Sequence, residues 1–141
     1  RFLKLIQDYD VVIGSRAVAG GRDIDRPGLR KFIPQVASLY TRVVLGPEIK
    51  DWSGGFKCYR ASALRQLPWE KLYSKGYSIG AETLFRLKRL NQHFVEIPIV
   101  FKDRRAGHSK FKTKEITDYL FTTLRLRLLT RQKPSVSDTP S

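Results

Sequence analysis

The 141-residue sequence has no methionine, one cysteine, two tryptophans and only 13 acidic residues against 27 Lys and Arg. Each shortage excludes something. The single cysteine, Cys58, rules out an internal disulfide and a multi-cysteine metal site, and it fits a reducing compartment. No apolar run approaches the roughly 18 residues of a membrane-spanning helix, and the start is not a signal peptide. The lack of Met, and a first residue already inside the helix-like run Arg1-Phe2-Leu3-Lys4-Leu5-Ile6, lead us to expect a piece of a longer protein whose N-terminal part is missing. The shortage of acids leaves a formal net charge of +14 and a pI near 10.3. Such a balance implies an anionic partner: nucleic acid, an anionic membrane surface or a phosphorylated small substrate.

What is present reads as one globular domain with strands and helices in alternation. Asp10-Val11-Val12-Ile13-Gly14-Ser15-Arg16 is a short buried strand that ends in a loop, with three successive β-branched residues. In open α/β sheets ligands gather beyond the carboxyl ends of strands, and Arg16 sits at that edge; as a residue taken alone it reads equally as a surface arginine. Residues 17–26 form a Gly-rich loop whose Asp23 and Asp25 are weak metal-ligand candidates, in a segment with the length of a lid. From Pro27 to Leu45 the apolar residues recur at helical spacing until Gly46-Pro47 stops them. Pro34 removes a hydrogen bond to Arg30, so a kink is expected there, or a helix that starts near Pro34. Arg30 and Lys31 would then project from the first turn or the entry loop.

Phe56 to Tyr59 alternates like a strand, and Gly54-Gly55 before it allows close backbone approach. Asp51 is a candidate acid at the mouth of a site, or it pairs with Arg60 or caps a turn. Ala61 to Leu67 reads as a short helix closed by Pro68. Tyr77 to Leu90 reads as a helix with Ser78 as its N-cap, Ala81, Leu84 and Leu87 as its core stripe, and Glu82 in its first turns, where a carboxylate suits the helix dipole. Phe94 to Phe101 alternates, with Val95, Ile97, Ile99 and Phe101 on one face and Pro98 marking an edge strand or bulge. Thr113 to Leu129 reads as a helix with Ile116, Leu120, Phe121, Leu124 and Leu128 on one side. That stripe suits either a core or an anionic membrane surface. Residues 131–141 are polar and are expected to be a disordered tail.

Between Phe101 and this last helix lies Lys102 to Lys114, KDRRAGHSKFKTK, with six Lys or Arg against one acid, Asp103. It offers the forks of Arg104 and Arg105, the ammonium of Lys110 and a turn at Gly107 to one anion, most naturally a phosphate. A charge run by itself reads as a solvated turn. A nucleic-acid-binding module and a non-catalytic module for anionic membranes are the competing readings of so basic a chain. Against the first, no RNP, KH or zinc-finger signature is visible.

Several segments together resemble a known family. They are Val12-Ile13-Gly14-Ser15-Arg16, Leu29-Arg30-Lys31 and the stretch Asp51-Trp52-Ser53-Gly54-Gly55-Phe56-Lys57-Cys58-Tyr59-Arg60. To these are added Lys75-Gly76-Tyr77 with Glu82 and Arg86, and Val95-Glu96-Ile97-Pro98-Ile99 leading to Asp103-Arg104, Gly107 and Ser109-Lys110. In this order they resemble the polyprenol-phosphate (dolichyl-phosphate) mannosyltransferases of glycosyltransferase family two, over about residues 1 to 128. The resemblance implies an α/β chain: the acceptor-side part of a GT-A, Rossmann-like three-layer α/β/α domain with a mixed sheet, spanning residues 1–130 and ending in an amphipathic helix.

It implies transfer of a hexose, most naturally mannose from GDP-mannose (UDP-glucose in sister enzymes), to a polyprenyl phosphate with inversion. Arg16 and Arg30 would hold the lipid phosphate; Arg104, Ser109 and Lys110 would face the phosphate cluster, with Arg105 and Lys114 as substitutes. Asp51 and Glu82 would orient the acceptor loop or touch the sugar. A divalent metal, Mg or Mn, is expected in the whole enzyme with its ligands mostly outside this chain, because the family's Asp-x-Asp motif has no counterpart here. This portion alone is therefore not expected to transfer sugar. The resemblance also implies work at the cytoplasmic face of a membrane, as a peripheral protein with or without anchoring subunits, and no nucleic-acid partner. The chain departs from the family pattern at Pro34, and at Trp-Ser-Gly-Gly-Phe where the family has Thr-Ser-Gly-Phe.

Overall fold

A computed structural model describes residues 1–24, 29–76, 78–102 and 113–129; for 29–31, 33–34 and 113–115 it describes the course of the backbone. The centre is β1 (Val11–Ser15), buried along its whole length. Its run of Val, Val and Ile suits a strand covered on both faces. β3 (Lys57–Tyr59) pairs antiparallel on one side of it and β4 (Phe94–Pro98) parallel on the other, so the described sheet is mixed, in the order β3-β1-β4. β2 (Arg22–Ile24) and β5 (Val100–Lys102) form a separate parallel pair. The Gly-rich stretch 17–26 is thus not all loop. Nor is Phe94–Phe101 a single strand. It divides at Ile99, whose amide donates to Ser15 O while its carbonyl accepts from Arg22 N, so the chain passes from one ladder to the other. Pro98 closes a strand at the edge of the described sheet, where its missing N–H is tolerated.

The helices are α1 (Phe2–Leu5), α2 (Leu29–Leu45), α3 (Ala61–Arg65), α4 (Ser78–Arg89) and α5 (Thr113–Leu129). α2 runs through Pro34 rather than starting there. α4 buries Ala81, Leu84 and Leu87, the expected stripe, together with Phe85; Ser78 is its first helical residue rather than its cap. The core joins Val11 and Ile13 of β1, Leu45, Ile49, Trp52, Ala63 and Leu67, with Leu84, Phe85 and Leu87 of α4 and Leu126 of α5.

Two helices depart from the amphipathic pattern read from the sequence. On α5 the buried positions are Tyr119, Thr123 and Leu126, whereas Phe121, Leu124 and Leu128 are exposed. The expected stripe is thus not the buried face of this helix, and its amphipathic character is not confirmed. On α2 the periodic residues Phe32, Val36, Leu39 and Val43 are all exposed, while Thr41 and Leu45 face the core. The two helices meet through Tyr40 Oη, which donates to Leu120 O (3.1 Å), and through the 2.9 Å contact of Thr41 Oγ1 with Tyr119 Oη.

Candidate active site

The residues that matter gather at the carboxyl end of β1. Arg16 follows the strand, and Asp51 reaches it from the connection between α2 and β3. Asp51 Oδ2 accepts from Arg16 Nε (2.9 Å) and from the Arg16 backbone N–H (3.0 Å), while Oδ1 accepts from Nη2 (2.9 Å). Nη2 also donates to Ser53 Oγ (3.2 Å). This is the bidentate fork that fixes the plane of a guanidinium. Asp51 is 2% exposed and the Arg16 side chain 18%. Burial works against ionising Asp51, but the Arg16 hydrogen bonds and charge, with the amides of Arg16 and Gly54, outweigh it and hold the carboxyl below its usual range. Arg60, the other partner weighed for Asp51, pairs instead with Asp10 (3.6 Å) and donates to the carbonyls of Ile6 and Gln7.

The loop that carries Asp51 is anchored from several sides. Trp52 is fully buried in the core and its Nε1 donates to Gly46 O (3.3 Å). Glu96, projecting from β4, accepts the amides of Lys50 (2.7 Å) and Asp51 (2.9 Å). A Cβ at Gly54 would stand 3.1 Å from the Asp51 carboxyl, so any larger residue here would have to push the acid back by a few tenths of an ångström. The β2–β5 pair completes the surroundings. Its register sets Asp23 opposite Phe101, and both face Arg16, Asp23 Oδ2 at 3.9 Å from Nη1 and the Phe101 ring centroid at 5.9 Å from the guanidinium carbon. Lys102, the first residue of the basic stretch, ends β5.

Glu82 lies apart from this pair. It is fully buried, and its carboxylate accepts the amides of Tyr73 (3.1 Å) and Ser74 (2.8 Å) and Nε of Arg86 (2.7 Å). Burial opposes its ionisation, yet the hydrogen bonds from Ser74, Arg86 and Tyr73 keep its carboxyl below the usual range. Glu82 is a clamp on the segment that enters α4. Arg86 Nη2 extends the clamp to Lys71 O (2.6 Å), and Arg86 and Arg125 both lie over the Tyr73 ring, at 5.6 and 4.6 Å.

Between the two clusters lies a cavity of about 600 Å³. Its lining includes Ser53, Gly54, Lys57, Lys75, Gly76 and Gly80, with Asp118 of α5. Sequence reasoning missed two residues here. Glu96 was visible as the one acid in an alternating strand. Lys57 stands in the Asp51–Arg60 motif but without a role assigned to it there, since a short alternating run does not mark a lysine as buried. Of the other expected site residues, Arg30 has its backbone in the first turn of α2 and Lys114 in the first turn of α5. Arg104, Arg105, Ser109 and Lys110 lie outside the described residues, as do Asp25 and the tail.

No family model matches the chain. It is 41% identical over 110 residues to the undecaprenyl-phosphate mannosyltransferase of Micrococcus luteus, and 33% identical over 112 residues to the polyprenol monophosphomannose synthase of Mycolicibacterium smegmatis. The chain is a homologue of the polyprenol-phosphate mannosyltransferases. These matches take in 78% and 79% of it, but only 45% and 42% of the two relatives, so it spans less than half of their length. Its mixed α/β sheet with several helices is compatible with a GT-A-like fold. In this homologue the Trp-Ser-Gly-Gly-Phe variation has a structural meaning: Trp52 is the core anchor that holds Asp51 and Ser53 against Arg16.

Proposed function

We propose that this chain is the acceptor-side portion of an enzyme that transfers mannose, from GDP-mannose, to a polyprenyl phosphate with inversion at the anomeric carbon. The observation that carries this reading is the 41% identity to an undecaprenyl-phosphate mannosyltransferase over most of the chain. The chemistry asks for little beyond what the site offers. The nucleophile is a phosphate oxygen, ionised at neutral pH, so no strong general base is needed. The requirements are to orient that phosphate and to stabilise the charge of the leaving diphosphate. Arg16, held rigid by Asp51, is suited to the first task, with Arg30 as its partner. Arg104, Ser109 and Lys110 are assigned to the shared phosphate cluster. Among the described residues no three His, Cys, Asp or Glu side chains gather as a metal site, and the acids nearest Arg16, Asp23 and Asp51, both face its guanidinium. The ligands of a Mg or Mn ion are proposed, on the resemblance, to lie mostly outside this chain, and no step is routed through it.

The exposed apolar residues of α2 and α5 support work at a membrane surface. Phe32, Val36, Leu39 and Val43 are 48–78% exposed and recur at helical spacing, and Phe121, Leu124 and Leu128 do the same on the neighbouring helix. Arg125 and Arg127 add positive charge beside them, the combination that favours anionic headgroups. No helix among the described residues is long and apolar enough to cross a bilayer. The proposed position is peripheral, on the cytoplasmic face, with or without anchoring subunits.

The test is a transfer assay on the whole protein with radiolabelled GDP-mannose or UDP-glucose and a polyprenyl phosphate. Label from GDP-mannose passing into the organic phase supports the reading. Label from UDP-glucose alone would replace the sugar, and none from either donor would overturn the reading.

A further inference from the structure

The cavity between the Ser53–Gly55 loop and the start of α4 contains an electrostatic arrangement that the Arg16–Asp51 pair does not explain. Lys57 projects from β3 into it and donates from Nζ to Trp52 O at 3.2 Å. On its other side a Cβ at Gly80 would come within 3.2 Å of the same nitrogen, so the first turn of α4 is packed against the ammonium. A helix N-terminus carries partial positive charge. A cation is thus pressed against the positive end of a twelve-residue helix, and Lys75 lines the same space.

The acids within reach do not balance this. Asp51 attracts Lys57 but is already held in a fork by Arg16, which itself repels Lys57; Asp118, an exposed residue, lines the cavity as one acid beside the two lysines. Tyr59 also lines the space and stays neutral, since burial pushes its hydroxyl up to about 12. Burial, with Asp51 drawing it up and Arg16 pushing it down, brings Lys57 down to about 8. An ammonium has three N–H donors, and an anion in the cavity would engage those not spent on Trp52 O. The walls suit such a guest. A Cβ at Gly55 or Gly76 would have nothing within 4 Å, so the backbone there faces open space.

We propose that Lys57 and Lys75 form a phosphate subsite in this cavity, next to the Arg16–Asp51 pair and separate from it. The chemistry recognised is a phosphate group. Its source, a lipid monophosphate or a nucleoside diphosphate, rests on the function proposed above.

With Lys57 down to about 8, a large share of it is the neutral, acylatable amine at pH 8, and an anion bound to the ammonium would lower that share; this supplies a readout that does not depend on turnover. The chain is treated with trace acetic anhydride and the acetylation of each lysine is followed by mass spectrometry, with geranyl phosphate, GDP or inorganic phosphate present. We expect at least one of these to slow acetylation of Lys57 fivefold or more while the exposed Lys4 is unchanged. Protection by geranyl phosphate and not GDP assigns the subsite to the lipid, and the reverse assigns it to the donor; both support the proposal. Unchanged acetylation of Lys57 with all three overturns it. That result would leave the transferase reading standing if the whole protein moves mannose, since the two readouts are independent.

Discussion

Arg16→Met offers the most searching test of the site, because burial and charge pull on Asp51 in opposite directions. In the native chain the Arg16 hydrogen bonds and charge overcome desolvation and lower the Asp51 pKa. Without the guanidinium, Asp51 keeps the backbone amides of Arg16 and Gly54 and a 3.4 Å hydrogen bond from Ser53 Oγ in a site where it is 2% exposed, and burial is then expected to raise its pKa above the ordinary value. Removing one member of a buried ion pair costs about 3–5 kcal/mol. The Arg16 side chain is 18% exposed and the Asp51 amide bonds survive, so about 2–4 kcal/mol is expected at pH 7. The cost should depend on pH. A carboxyl with a depressed folded pKa contributes stability above its unfolded value that is lost as pH falls through the folded pKa; a raised folded pKa reverses the slope. The cost of Arg16→Met should therefore shrink as pH drops from the raised pKa of the variant through the depressed pKa of the native chain, by about 1.4 kcal/mol per unit. Urea unfolding at pH 7 and at pH 4 measures it, with Trp52 in the core as the fluorescent reporter. In the double-mutant cycle with Asp51→Ala, a coupling of about 2 kcal/mol is expected. A coupling below about 0.5 kcal/mol, or a cost equal at both pH values, would refute the account of the pair.

Three further outcomes follow from the same geometry. In the whole enzyme, Arg16→Ala and Arg30→Ala should each lower turnover at least about tenfold, roughly 1.4 kcal/mol in the barrier; native rates in both would remove the phosphate clamp. Glu82→Gln cannot accept both the Tyr73 and Ser74 amides and also pair with Arg86, and thermal melts should place its cost at about 2–3 kcal/mol; a loss below about 0.5 would mean that Glu82 does not hold the α4 entry. Lys57 has a folded pKa of about 8 against an ordinary 10.5, so the unfolded chain binds the extra proton between those values. Stability should rise with pH across that interval and phosphate affinity should fall as pH passes about 8; Lys57→Met should flatten both profiles.

The elements read most easily were those with local causes. β1 announces itself through three β-branched residues, and the bounds of α5 follow from apolar residues at helical spacing, uninterrupted by Gly or Pro, between the basic stretch and the polar tail. Other features depend on distant partners, which no local pattern encodes. The alternation of residues 94–101 continues across the point where the strand changes sheets, because side-chain period says nothing about which backbone accepts the Ile99 amide. The apolar period of α2 similarly identifies a face without saying what covers it, and here the face is exposed.

The site divides along the same line. Arg16 and Asp51 were legible as candidates, but the choice of Arg16 over Arg60 as the partner of Asp51 is made by a core tryptophan and by Glu96, 45 residues away. Glu82 was legible as an acid near a helix start, yet what it serves is the loop before that helix. Lys57 was legible as a member of a motif but not in its role, because its distinguishing property is the helix end pressed against it, a relation that exists only once β3 and α4 have packed. For that reason the two cations should separate cleanly in experiment. Arg16 has its countercharge within the fold, so its loss is felt in stability without any ligand present. Lys57 meets a helix end of its own sign, so Lys57→Met should be neutral or stabilising in the unliganded chain and costly only when phosphate binds.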